Sequence, residues 1–330
     1  MLSGSRSRFR SACVLISIFL VTLILLQRGG TIYRAAANLK YPIASGATTA
    51  NSTRHRETEI VVASTKREDA SWIYRHFAHW NPQVYIADDR YALLRVPKNK
   101  GREAMVYLTY IIDNYDNLPD TAIFIHASRF QWHNDDPNYD TIPTLRNLRL
   151  PYVREAGYVN LRCTWVVGCP AEIRPFEDED AAQRANGERK QPSAKTIFRQ
   201  AFEQLLPEVP VPPLVAVSCC SQFAVAGPTI RRHPKERYVR FRDWLLDTPL
   251  DDSLSGRVME FSWHIIFGKE AVHCPTAKEC YCNVFGLCEL PCNEFSCDGR
   301  YILPPFATLP PEWPRLGWNN EDRGYNETLD

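Results

Sequence analysis

The chain has 330 residues, 45% of them hydrophobic, and a formal net charge of +1. That is enough apolar material for one large core with appendages, and too little net charge to suit a polyanionic partner, so nucleic-acid binding is set aside. Eleven cysteines, six of them between Cys274 and Cys297, weigh against a reducing compartment unless they bind metal.

Ser11 to Leu26 is an uncharged, mostly apolar run of 16 residues, preceded by Arg6, Arg8 and Arg10 and followed by Gln27-Arg28. A full span uses about 20 such residues, so the run is short. Its basic leader predicts residues 1–28 to be a cytosolic leader and membrane anchor, with the remainder in the lumen of the Golgi or endoplasmic reticulum as a single-pass type II protein. A signal peptide cleaved near Ala35-Ala36-Ala37 is the competing reading and would make the protein secreted. Residues 29–58 lack a sustained period and read as a stem, and Asn51-Ser-Thr and Asn326-Glu-Thr are glycosylation sequons that fit a lumenal chain.

The folded domain, residues 59–272, opens with a strand over Glu59–Ser64. Thr65 to Asp69 forms a turn, and Asp69 precedes a helix whose Trp72, Ile73, His76, Phe77 and Trp80 share a face. Gln83 to Ala87 is a run of β-formers that stops at Asp88 and Asp89, as a buried strand stops at a polar rim. Pro97 to Glu103 is turn-rich. From Ala104 the period becomes helical, with Ala104, Leu108, Ile111, Ile112 and Tyr115 on one face. The helix ends by Leu118-Pro119-Asp120, and Thr121 to His126 reads as a second buried strand. Strand, helix, strand predicts a right-handed parallel crossover, with both polar strand ends on the rim where such sheets bind ligands.

Leu148 to Gly157 is a connector or helix and Tyr158 to Cys163 a short strand, after which Cys163 and Cys169 bracket a short loop. Residues 177–196 have the charged composition of a solvated loop. A helix over Thr196–Leu206 ends at Pro207, Leu214–Val217 and Ser221–Ala226 are strand candidates, and Lys235–Leu246 is helical by pattern. Asp251-Asp252-Ser253 caps one helix holding Met259, Glu260, Trp263, His264, Ile265 and Phe267, which stops at Gly268. Residues 273–330 are a cysteine-rich knot and a proline-rich tail. Behind a secretory signal the cysteines read as disulfides rather than zinc ligands, since no paired C-x2-C module is present. Their connectivity is open, and Cys219-Cys220 are available to distant partners.

Five constellations carry chemistry. Asp88 and Asp89 suit the ribose or base of a nucleotide, against a plain strand-ending turn. Asn99 to Ala104 sets Gly101 where a backbone approaches something closely, with Lys100, Arg102 and the helix start available to a diphosphate. A capped helix with an exposed basic turn is the plain alternative. His126, His133, Asp135 and Asp136 form the metal or acid/base candidate. Glu260 and His264, four apart on one helix, suit a base beside a metal ligand. Trp132 and Trp263 suit a sugar platform or ordinary core packing.

Asn99-Lys-Gly-Arg-Glu-Ala, Tyr110-Ile-Ile-Asp-Asn-Tyr-Asp-Asn-Leu-Pro-Asp, Gln131-Trp-His-Asn-Asp-Asp and Glu260-Phe-Ser-Trp-His-Ile-Ile-Phe-Gly resemble the fungal domain-of-unknown-function family 3431 over roughly residues 59–290. More distantly, the order of strand ends resembles inverting glycosyltransferases of the GT-A fold. That resemblance implies an α/β architecture with a GT-A-like, mostly parallel sheet flanked by helices, followed by the disulfide-rich C-terminal appendage. It implies that Ser64, Asp88, Asp89, Asn99, Gly101 and Arg102 face the nucleotide, that Glu260 is the catalytic base, and that His264 is a catalytic or metal-ligating partner. The partners implied are a nucleotide sugar and a glycan or glycoprotein acceptor. The triplet expected as Asp-x-Asp is His126-Ala127-Ser128 here. A divalent metal, Mn or Mg, would therefore need His126, Asp135 and His264, with Asp135 or Asp136 folding back. Otherwise Arg102 or Arg129 would stabilise the leaving diphosphate without metal. An inactive lumenal carbohydrate-binding or scaffolding protein, and a metal-dependent hydrolase using His126, His133 and Asp135, are the alternatives.

Overall fold

The computed structural model describes residues 56–184, 193–300 and 308–325. The apolar run Ser11–Leu26, most of the stem and both sequons lie outside them. Among the described residues no helix is long and apolar enough to cross a membrane.

The strands are β1 (Thr58–Ser64), β2 (Gln83–Ile86), β3 (Thr121–His126), β4 (Tyr158–Asn160), β5 (Ala216–Val217), β6 (Phe223–Ala226) and β7 (Val272–His273). Five form the central sheet in the order β2-β1-β3-β6-β4, and β5 and β7 make a small parallel pair. β1 runs parallel to β2 and β3, whereas β6 is antiparallel to both β3 and β4. The carboxyl ends of β2, β1, β3 and β4 and the amino end of β6 consequently share one rim. β1 and β3 are near-continuous apolar runs because both sheet faces are covered. Val61, Phe124 and Phe223 enter one core cluster, while Ile60, Val62, Ile123 and Ile125 are equally buried and alternate onto the other face.

The helices are α1 (Ser71–Phe77), α2 (Ala104–Asn114), α3 (Thr141–Arg146), α4 (Leu150–Ala156), α5 (Pro175–Arg184), α6 (Ala194–Leu205), α7 (Gly227–Ile230), α8 (Lys235–Asp247), α9 (Asp252–Glu260), α10 (Trp263–Ile266) and α11 (Ala277–Phe285). α2 packs on β1, α8 and α9, and every residue from Ala104 to Ile112 is buried. The one-sided face expected from its periodicity is thus too narrow, as befits a helix enclosed between a sheet and a second helical layer. α4 lies over β3, β6 and β4 and carries α11.

Three further expectations change. Residues 175–184 are helical rather than a loop, since acidic Glu177 and Asp178 suit a first turn and Glu179 pairs with Arg199 of α6 at 3.1 Å. The strand expected over Tyr158–Cys163 ends at Asn160, whose side chain accepts from the Arg162 amide at 2.8 Å and turns the chain. The single helix expected through Glu260 and His264 is two, separated at Phe261 and Ser262, where the Ser262 hydroxyl donates to Val258 O at 2.7 Å.

The described cysteines form five disulfides. Cys163–Cys280 and Cys169–Cys274 tie the β4 end to the C-terminal segment, Cys282–Cys288 and Cys292–Cys297 close small loops, and Cys219 bonds to its neighbour Cys220 rather than to a distant partner. Such a set belongs to an oxidising compartment, secretory or extracellular.

Candidate functional site at the strand rim

The rim is assembled from strand ends whose polar residues follow apolar runs. At β2, Asp88 accepts from the Lys66 amide at 2.8 Å, while Asp89 accepts from the Tyr91 amide at 2.9 Å and lies 3.6 Å from Lys66 Nζ. At β1, Ser64 is buried and its hydroxyl donates to Thr65 O at 3.2 Å. At β3, His126 meets the amino end of β6, where its amide donates to Gln222 Oε1 at 3.2 Å. β1 stands between β2 and β3, so Asp88 and Asp89 sit about 10 Å across the rim from His126 by ordinary strand spacing.

The turn into α2 delivers the next groups. Gly101 and Arg102 both have positive φ, 67° and 53°, and a Cβ on Gly101 would come within 2.7 Å of Leu245 Cδ2. Gly101 therefore serves close packing against α8. Lys100 is buried with its ammonium donating to Thr248 O, which removes it from the set expected for a diphosphate. Asn99 is exposed, and Arg102 is exposed with Nη2 donating to Ser253 Oγ at 3.1 Å.

Glu103, the residue after Arg102, turns inward. Its Oε2 lies 3.8 Å from His126 Nε2, and the two side chains are only 13% and 16% exposed. Burial raises the Glu103 pKa, opposed by its own backbone amide, the Ser221 hydroxyl beside it, Arg102 and Arg257. Glu260, the last residue of α9, reaches the same place from the other side. Its Oε1 accepts from the Cys220 amide at 2.8 Å and its Oε2 is 3.8 Å from Arg257 Nε. Burial pushes its carboxyl up to about 7, with Glu103 adding to the rise and Arg257 opposing it. Cys220 and Ser221 hold φ of 102° and 51°, and that two-residue left-handed turn aims the Cys220 N–H at the carboxylate. Burial lowers the His126 pKa to about 4 and holds His133 well below the usual histidine range.

The structure thus brings Glu103, His126, His133, Glu260, Arg102 and Arg257 to one region. It does not bring His264 there. The break after Glu260 turns His264 into the core, where Nε2 meets Ala271 O at 3.0 Å and burial lowers its pKa to about 4. Asp135 is likewise committed: it accepts from Cys163 N, Thr164 N and Thr164 Oγ1 at 2.7, 2.8 and 2.6 Å. Asp136 caps the turn at Asn138 and faces Arg300, and Arg129 forms a buried two-point pair with Asp140 at 2.9 and 2.7 Å. Trp263 is core, packed with Phe223 and Phe267, whereas Trp132 lies against His133 at the rim.

His126, Asp135 and His264 therefore do not fit a Mn or Mg ion, nor do His126, His133 and Asp135 fit the metal of a hydrolase. Among the described residues, the three donors that lie within 4.8 Å of one another are Cys219, Cys220 and Glu260, and the two sulfurs are bonded together and offer no thiolate. Glu103 and Arg257 escape sequence reading because an acid ahead of a helix looks like a dipole partner, and an arginine three residues before Glu260 looks like a surface ion pair.

The family described as Protein of unknown function (DUF3431) matches residues 60–283. Comparison with curated proteins and with solved structures returns no match.

Proposed function

Since the chain belongs to that family of unknown function, whose description names no activity, we propose from geometry that it transfers a sugar from a nucleotide donor to a hydroxyl acceptor. The observation that carries this reading is Glu260: a carboxyl held near pH 7 by burial, hydrogen-bonded by a backbone amide, at the rim where parallel strands end. The strand order β2-β1-β3-β6-β4, with β6 alone running against the other four, supports the GT-A-like comparison. In this reading the donor nucleotide lies over the ends of β1 and β2 beside Asp88 and Asp89, and its diphosphate lies toward Arg102. Glu260 takes the proton of the acceptor hydroxyl, the acceptor oxygen bonds to the anomeric carbon, and the bond from that carbon to the diphosphate breaks with its electron pair. Arg102 and the start of α2 stabilise the charge that leaves. No step runs through a metal, because the residues expected to hold one are dispersed. The Golgi or endoplasmic-reticulum setting, the Ser11–Leu26 anchor and the glycan or glycoprotein acceptor are part of the proposal; the oxidised cysteines support its oxidising, secretory setting alone.

Release of nucleoside diphosphate from a panel of nucleotide sugars tests the reading. One donor should turn over, and Glu260→Gln should lower turnover at least roughly 100-fold with donor binding retained. Absence of turnover with every donor, or equal turnover in the variant, sinks it. The dispersal of the metal candidates favours a second reading, a carbohydrate-binding ectodomain without chemistry. Glycan binding that survives Glu260→Ala, in a protein that turns over no donor, would select it.

A further inference from the structure

A cavity of about 80 Å³ borders β4, the edge strand of the central sheet, and none of Asp88, Glu103, His126 and Glu260 lines it. Buried Tyr158, Val159 and Val284 form its floor, and half-buried Tyr152, Lys269 and His273 stand where it opens to solvent. Cys280 is part of its wall and is bonded to Cys163, so α11 is tied covalently to the segment after β4 and the cavity is preformed.

The charged groups on the wall are unequally committed. Arg162 turns away to Asp135, 3.7 Å off, and to the carbonyls of Trp132 and His133. Glu279, the acid among the lining residues, is held in the α11 cap, where Oε2 accepts from Thr276 N and Thr276 Oγ1 at 3.2 and 2.8 Å. Lys269 is different. Its ammonium donates to Ala156 O, at the end of α4, at 2.8 Å, which uses one of three N–H donors, and no carboxylate of the described residues pairs with it. Burial and the nearby Arg232 guanidinium lower its pKa, as expected of a half-desolvated cation that lacks a counter-ion. His273 packs edge-on against the Tyr158 ring, and among the described residues neither of its ring nitrogens is hydrogen-bonded. Burial first and the charge of Lys269 second hold it at about 4, so at neutral pH it offers one N–H and one lone pair.

One uncommitted cation and one imidazole N–H beside apolar walls match a singly charged anion with an apolar body. A phosphate would call for several cationic donors, which this wall lacks. The volume admits a guest of about five to eight non-hydrogen atoms. We propose that this cavity binds a small monocarboxylic acid, its carboxylate on Lys269 and the His273 N–H and its alkyl part over Val159 and Val284. The site is independent of the sugar-transfer reading, and success or failure of either leaves the other standing.

Calorimetry of the full chain at neutral pH with propionate, butyrate and pentanoate, each beside its amide, and with inorganic phosphate tests the site. At least one acid should bind with a Kd of about 0.1–10 mM, and its amide should bind roughly 10- to 100-fold more weakly. Lys269→Met should weaken that acid by a similar factor and leave the amide within about 2-fold. A readout that needs no variant to fold is carbon-13 NMR of histidine-labelled native protein, in which the acid should move the His273 ring resonances and leave those of exposed His79 in place. No binding of any acid at 50 mM, equal binding of acid and amide, binding of phosphate alone, an unchanged affinity in Lys269→Met, or His273 resonances that do not move would each overturn the proposal.

Discussion

Glu260→Gln should change the pH dependence of stability in a direction fixed by the site. The Glu260 side chain is 11% exposed and its carboxyl is pushed from 4.5 up to about 7, chiefly by burial. Between those values the unfolded chain has released the proton and the folded chain has kept it, so this group's contribution to stability falls as pH rises and is level above about 7. The displacement corresponds to about 3 kcal/mol. Glutamine keeps an oxygen for the Cys220 amide and never ionises. The variant should match the native protein near pH 4 and exceed it by up to about 3 kcal/mol at pH 8. His126, His264 and His273, each lowered to about 4 mainly by burial, work in the opposite sense, gaining stability as pH rises from about 4 toward 6.5. They are common to both proteins and cancel in the difference. Urea unfolding without reductant, in half-unit pH steps, measures it. A difference that does not vary with pH, or a variant less stable than native at pH 8, would refute the assignment of a raised carboxyl to Glu260.

Arg129→Ala should cost about 3–5 kcal/mol in the same assay, because it strands Asp140 in a buried two-point pair, and a loss under about 1 kcal/mol would contradict that account. Replacing Cys163 and Cys280 together with serine leaves the nested Cys169–Cys274 bridge closing most of the loop and opens only the ring of residues 163–169 and 274–280, so it should cost about 3 kcal/mol, seen as a lower urea midpoint, where an unchanged midpoint would count against the tether. Gly168→Ala should lower the melting temperature, since φ is 118° and a Cβ would stand 2.0 Å from Val217 O. Strain of this kind costs at least about 1–3 kcal/mol, and an unshifted melt would show the backbone to be free to move.

β1, β2, β3 and α2 are legible in the sequence because continuous apolar runs and turn residues mark their ends: Thr121–His126 is read to the residue. Their neighbours are harder. α5 hides behind its charge, since its pairing of Glu179 with Arg199 is a tertiary fact. The stop after Glu260 has no glycine or proline to announce it, only a serine that bonds back to Val258, so the i,i+4 relation of Glu260 and His264 looks sound and is not realised. Asp135 illustrates the same limit at the site. Its position near two histidines suggests a ligand, yet three donors from Cys163 and Thr164, distant in sequence, and the Arg162 guanidinium 3.7 Å away engage it instead. Disulfide connectivity, and with it the turn that presents the Cys220 amide, depends on three-dimensional proximity alone.

A crystal of the protein soaked with uridine diphosphate, and another with guanosine diphosphate, would show directly where a nucleotide settles. The account places one of them on the rim, its base and ribose at Asp88 and Asp89, its diphosphate toward Arg102, and the Glu260 carboxylate facing the open side. Density on the β5–β7 side of the molecule, or an empty rim at millimolar nucleotide, would contradict it.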